Sequence, residues 1–140
     1  MRSVHAQNVG DEHEGRAAGD SSLRNATSAA DLVRLFFEIH DPTQVGGQGN
    51  DIGDQYRSQI WTTTPEQLRD ATALRAAYQE VLTERGFGPI QTVISPAPDA
   101  DSTARFWYAE DYHQQYLFKN PGGYECHART GIACPALPHE

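Results

Sequence analysis

Thr64-Pro65-Glu66-Gln67 fixes the start of a helix more firmly than any other four residues of the chain. Thr64 can cap with its hydroxyl, proline is pre-set for the first helical position, and Gln67 completes a capping box. The helix is expected to run to about Arg85, with Leu74, Tyr78, Val81 and Leu82 turned inward and Gly86 supplying the stop. A helix this long with one apolar face needs a partner layer, and the flanking segments supply strands. Tyr56–Thr62 (YRSQIWT) alternates, with Tyr56, Ser58 and Ile60 on one face and Arg57, Gln59 and Trp61 on the other. Ile90–Ser95 (IQTVIS) reads as a short strand before Pro96 and Pro98.

Upstream, Ser28 with Asp31 three positions on gives a second helix start. Leu32, Leu35, Phe36 and Ile39 then recur as one apolar face, and Asp41-Pro42 ends the helix. Residues 43–55 (TQVGGQGNDIGDQ) hold four of the twelve glycines and form a loop with several positive-φ positions. Phe106-Trp107-Tyr108 suits a further strand or packed turn, and Glu110–Leu117 reads as helical, ended by Asn120-Pro121-Gly122-Gly123. The last seventeen residues show no period. Residues 1–27 carry few strong hydrophobes and no period, and read as a disordered leader before a single domain over 28–140. Alternating helices and few strands give the α+β class.

At 140 residues the chain has room for one core. A net charge of −8 argues against a nucleic-acid or anionic-membrane surface, both of which call for a basic patch. No stretch is apolar enough to span a bilayer and no signal peptide is visible. Two cysteines cannot build a disulfide scaffold and fit a reducing compartment, the cytoplasm.

Few residues offer chemistry. The glycine loop has neither of the glycine-rich phosphate-binding patterns and precedes a strand. Asp51 and Tyr56 flank Gly53: the hydroxyl can donate to a substrate oxygen while the carboxylate orients it, or the two are simply an Asx turn and a half-buried sheet tyrosine. Glu110, Asp111 and His113 crowd one turn and could join Cys126, His127, Cys134 or His139 at a zinc ion. The eight-residue spacing of the cysteines, however, is unlike a zinc knuckle. No metal or cofactor is therefore assigned. Cys126 and Cys134 share a glycine-containing tail with no evident core around it. As exposed thiols they could close a disulfide, or be incidental.

FFEIHDPTQ (Phe36–Gln44), GNDIGDQYRS (Gly49–Ser58) and TTTPEQ (Thr62–Gln67) resemble segments of the A-type peptide methionine sulfoxide reductases. So do FWYAEDYHQQYL–KNPGGY (Phe106–Tyr124) and TGIACP (Thr130–Pro135). The resemblance implies a ferredoxin-like two-layer α+β sandwich and reduction of the S epimer of methionine sulfoxide, free or in proteins. A cysteine attacks the sulfoxide sulfur, a tail cysteine resolves the resulting sulfenic acid, and thioredoxin reduces the disulfide. It assigns Asp51 and Tyr56 to binding and orienting the substrate oxygen, and Cys126 and Cys134 to the recycling thiols. The family's GCFWG segment, which carries the nucleophile, and its TGHAE-like segment with the acid glutamate do not occur in these 140 residues. The resemblance thus covers the carboxy-terminal part of the enzyme, with the nucleophile absent. It implies a catalytically incomplete reductase, or else a non-catalytic remnant that at most binds a partner or substrate weakly.

Overall fold

The computed structural model describes residues 28–97, 109–124 and 128–137, together with the backbone of His5–Ala6. The elements in chain order are β1 (His5–Ala6), α1 (Ala29–Glu38), β2 (Gly47–Gln48), β3 (Asp51–Ile52), β4 (Gln59–Thr62), α2 (Pro65–Glu84), β5 (Val93–Pro96) and α3 (Tyr116–Lys119). Strands β1, β4 and β5 form one parallel sheet with β4 in the centre, and β2 and β3 pair as a separate antiparallel ribbon. The fold is α+β, with α1 and α2 packed together and α2 crossing from β4 to β5 over the sheet.

Both helix starts are capped by the residues expected, but the reciprocal box forms only at Ser28–Asp31, because the Gln67 side chain accepts from the Thr63 N–H at 2.8 Å instead of from Thr64. Ser28 Oγ accepts from the Asp31 N–H at 3.1 Å while an Asp31 carboxylate oxygen accepts from the Ser28 N–H at 3.1 Å. Thr64 Oγ1 accepts from the Gln67 N–H at 3.2 Å with Pro65 in the first turn. Gly86, at φ 83°, ends α2 in the left-handed region that costs a side chain most. Along α2 the buried residues are Ala71, Leu74, Tyr78 and Leu82, while Val81 is only half-buried.

The buried face of α1 is not the one its strongest apolar repeat suggests. Val33, Phe36, Phe37 and the following His40 face the core, whereas Leu32, Leu35 and Ile39 are 39%, 53% and 38% exposed. Phe36 and Phe37 meet edge-on at 5.6 Å between ring centroids, and Phe37 lies 5.8 Å from the Tyr78 ring, so the aromatic pair sets the helix rotation. Each large side chain fully buried in this way contributes about 1.5–3 kcal/mol.

Three expected elements are shorter than their sequences suggest. Residues 54–56 form a 3-10 turn, closed by the Tyr56 N–H on the Gly53 carbonyl at 3.0 Å, so the strand begins at Gln59 and excludes Tyr56. From there the inward alternation of Ser58, Ile60 and Thr62 holds. The second strand begins at Val93, because the Gln91 N–H is drawn to the Pro42 carbonyl at 2.7 Å. The helix over 110–117 gives way to turns and a four-residue α3, because Gln115 takes a left-handed φ of 55°. The backbone of His5–Ala6 pairs with Gln59 and Ile60, and backbone pairing along a strand edge needs no side-chain period. The remainder of residues 1–27 and Phe106-Trp107-Tyr108 lie outside the described residues.

Candidate active site on the glycine loop

Residues 41–57 leave α1 and return to β4 as a structured loop. Asp41 Oδ1 accepts from the Thr43 N–H at 2.9 Å and the Thr43 hydroxyl at 2.7 Å, which turns the chain out of the helix. Gln44 brackets Gly49, accepting its N–H at 2.6 Å and donating to its carbonyl at 3.0 Å. Between these points β2 and β3 pair Gly47 with Ile52 and Gln48 with Asp51 around a Gly49-Asn50 turn. Gly47 must be glycine for a close approach: a Cβ there would collide with the Asp51 carbonyl oxygen and sit 2.9 Å from the Ile52 side chain.

This ribbon puts Asp51 at the protein surface, half-buried, and the Tyr124 hydroxyl donates to its Oδ2 at 3.4 Å. Tyr124 arrives from 73 residues downstream. It is placed by a tight turn in which the Gly123 N–H bonds the Asn120 carbonyl at 2.8 Å. Gly123 lies against the Tyr116 ring, where a Cβ would approach a ring carbon to 2.7 Å. Asp51 therefore meets a tyrosine, but the hydroxyl comes from Tyr124. Tyr56 is half-buried on the adjoining 3-10 turn, and its carbonyl accepts from Gln48 Nε2 at 3.0 Å. A carboxylate beside a phenol hydroxyl is a matched acceptor and donor, able to orient a water or a hydroxyl between them.

Cys134 departs from its expected setting. It is a free thiol but only 1% exposed, packed in the core cluster with Phe37 and Tyr78. Burial, and then the Glu38 carboxylate, push its thiol up to about 11, with Arg34 opposing. The tail that carries it has no regular structure yet is fixed. Tyr78 donates its hydroxyl to the Ile132 carbonyl at 2.7 Å and meets the Thr130 hydroxyl at 2.8 Å. Arg34 Nε donates to the Cys134 carbonyl at 3.2 Å. The exposed-thiol reading of Cys134 is thus corrected, because the α1–α2 groove supplies the core its own segment lacks. Cys126 lies outside the described residues, as do His127 and His139.

Glu110 and His113 pair with each other at 3.0 Å on the surface. The Glu110 carboxyl is held below its usual range by a backbone hydrogen bond and by His113. Among the described residues no three His, Cys, Asp or Glu side chains gather as a metal site, and no helix is long and apolar enough to cross a membrane.

Residues 24–137 match the family model described as peptide methionine sulfoxide reductase. The chain belongs to the peptide methionine sulfoxide reductase family. Over 109 residues it is 54% identical to the peptide methionine sulfoxide reductase MsrA of Azorhizobium caulinodans, covering 77% of this chain and 47% of that protein. Over 108 residues it is 50% identical to the mitochondrial peptide methionine sulfoxide reductase of Homo sapiens, covering 77% and 43%. Methionine sulfoxide reductase A of Corynebacterium diphtheriae superposes with a TM-score of 0.63 at 42% identity, over 79% of this chain and 53% of that one. Mxr1 of Saccharomyces cerevisiae in reduced form gives 0.58 at 38% identity, over 71% and 50%. The chain thus spans about half the length of the relatives it matches.

Tyr124, Tyr116 and Tyr78 were not singled out by the sequence as site or tail-holding residues. The one available signal was the NPGGY segment (Asn120–Tyr124), whose glycines mark a turn that delivers an aromatic residue.

Proposed function

We propose that this chain carries the carboxy-terminal part of a peptide-methionine (S)-S-oxide reductase, with the groups that hold the sulfoxide oxygen and the recycling thiols but without the nucleophile. The observation that carries this reading is the contact between Asp51 and Tyr124, made at 3.4 Å on the surface of the glycine loop. In the reaction a thiolate attacks the sulfoxide sulfur, the oxygen gains a proton and is transferred to the thiol, and methionine departs, leaving a sulfenic acid. On binding, Tyr124 turns its hydroxyl from Asp51 to that oxygen, and Tyr56 supplies a second hydroxyl donor from the adjoining turn. A second thiol then condenses with the sulfenic acid, releasing water and forming a disulfide that thioredoxin reduces. Cys126 and Cys134 take the recycling roles. The two cysteines fit a reducing compartment, and we assign the protein to the cytoplasm.

As folded, Cys134 is a poor nucleophile, being buried and protonated at neutral pH. That observation favours the second reading, a non-catalytic remnant, for the chain by itself. Methionine S-sulfoxide with dithiothreitol is expected to give no more than trace turnover. N-acetyl-methionine S-sulfoxide should shift NMR signals around Asp51 and Tyr124; Tyr124→Phe should weaken binding about tenfold by removing a hydroxyl donor, and Asp51→Asn should weaken it by removing the carboxylate that orients Tyr124. Turnover within about tenfold of a full-length relative, lost in Cys134→Ser, would instead make a tail cysteine the nucleophile. Absence of binding leaves the remnant reading alone.

A further inference from the structure

The loop that carries Asp51 and Tyr56 begins after His40 and ends before Ser58, and these two residues touch. His40 Nδ1 donates to the Phe36 carbonyl at 2.6 Å, and its Nε2 accepts from the Ser58 hydroxyl at 2.8 Å. Ser58 Oγ in turn meets the Thr92 hydroxyl at 2.7 Å. The Phe36 carbonyl can only accept, so it fixes the proton on Nδ1 and makes Nε2 the acceptor. His40, Ser58 and Thr92 are 1%, 7% and 1% exposed. The line therefore runs unbroken from the end of α1, across the neck of the loop, to the approach to β5. Two backbone bonds reinforce the neck, from Gln91 N–H to the Pro42 carbonyl at 2.7 Å and from Val93 N–H to the Ser58 carbonyl at 3.1 Å.

We propose that His40 is a positioning residue for the oxygen-binding site, closing the neck of the 41–57 loop through Ser58 and so setting where Asp51 and Tyr56 stand. The assignment of that site rests on the function proposed above, whereas the closure itself does not. An apolar side chain of similar size would fill the volume but leave the buried Ser58 and Thr92 hydroxyls short of a partner. Tying the ends of a loop this long removes much of its freedom, which a binding surface built on short two-residue strands needs.

The same geometry makes the neck acid-sensitive. Burial lowers the His40 pKa below 6.5, with the Phe36 carbonyl and the Asp41 charge opposing. Among the described residues, Asp41 is the charged group whose field reaches the ring. From α1 the Phe36 ring faces it at 4.5 Å between centroids, and the β4 and β5 sides present the Ser58 and Thr92 hydroxyls. A depressed histidine pKa means the unfolded or opened form takes the proton first, so closure weakens as pH falls below about 6.5. Once protonated, Nε2 can no longer accept from Ser58.

The test is amide hydrogen exchange on the full 140-residue chain between pH 7.5 and 4.5, corrected for intrinsic rates. The probes are the Gly49, Gly53 and Tyr56 amides, all bonded within the loop, with Ala71–Leu82 of α2 as reference. Loop protection is expected to fall at least about tenfold relative to α2 on acidification, and to be already low and independent of pH in His40→Phe. Ser58→Ala, a smaller change, should do the same if His40→Phe does not fold. Equal loss from loop and α2, or loop protection in both variants matching the parent at pH 7.5, would overturn the proposal. N-acetyl-methionine S-sulfoxide should bind His40→Phe or Ser58→Ala about tenfold more weakly. If the parent chain binds no sulfoxide, the functional reading fails while the exchange result still decides the role of His40.

Discussion

Glu38 Oε1 accepts the backbone N–H of Cys134 at 2.9 Å, joining residues 96 positions apart. With Arg34 Nε on the Cys134 carbonyl, α1 holds the amides on both sides of the cysteine, and the thiol is pressed inward between α1 and α2. A residue proposed to exchange thiols is thereby stored in a protonated, buried position. Release of the tail must precede its chemistry.

The first consequence is slow alkylation. With the thiol raised from 9.0 to about 11, little thiolate exists at pH 8, and burial blocks access besides. Iodoacetamide should modify Cys134 at least about a hundredfold more slowly in the native chain than in urea, as read by peptide mass spectrometry. A native rate equal to the unfolded one would exclude the docked tail.

Alkaline pH should loosen the same region. A thiol whose folded pKa is raised favours folding fully below the unfolded value, and that contribution is lost as pH rises through the folded one. The window is therefore pH 9 to 11, the range of the Cys134 shift. Tyr78, raised chiefly by desolvation, adds to the effect. The midpoint of urea unfolding should fall across this window in the parent and fall less in Cys134→Ala.

Removing the Tyr78 hydroxyl should free the tail while sparing the core. Tyr78→Phe keeps the ring against Phe37 but strips the bonds to Ile132 and Thr130. The expected loss is about 1–3 kcal/mol in urea unfolding, with Cys134 alkylation accelerated more than global stability falls. Unchanged alkylation would mean that Glu38 and Arg34 hold the tail by themselves.

Gly47→Ala tests the ribbon. Its Cβ would strike the Asp51 carbonyl oxygen, a backbone atom that cannot swing aside. We expect β2 and β3 to separate, at a cost of about 1–3 kcal/mol, with loss of the Asp51–Tyr124 contact visible in the tyrosine NMR signals.

Oxidation gives a further measure. A Cys126–Cys134 disulfide is expected to form slowly under native conditions and faster in low urea, since the buried partner must first emerge. Equal rates in both would separate disulfide formation from tail docking.

What could be read from the chain was whatever depends on near neighbours. The caps at Ser28 and Thr64, the Gly86 stop and the inward set Leu74, Tyr78 and Leu82 follow from spacings of three and four residues. The face of α1 was misjudged because two apolar stripes adjoin there, and only the packing of Phe37 on Tyr78 chooses between them. Cys134 was misplaced for a related reason: the tail has no period, and its burial is supplied by residues about 50 to 100 positions away. At the glycine loop Asp51 was singled out by its motif, but its contact with Tyr124 spans 73 residues and leaves no mark beyond the glycine turn before Tyr124.

The outward stripe of Leu32, Leu35 and Ile39 on α1 bears on how the molecule behaves in concentrated solution. At neutral pH a charge of −8 opposes the approach of chains through that apolar surface. Near pH 5.1 that repulsion vanishes while the stripe stays apolar, so attraction between chains is left unopposed. Turbidity is therefore expected to rise as pH falls toward 5.1, and salt, which screens the repulsion, to bring its onset nearer to neutrality.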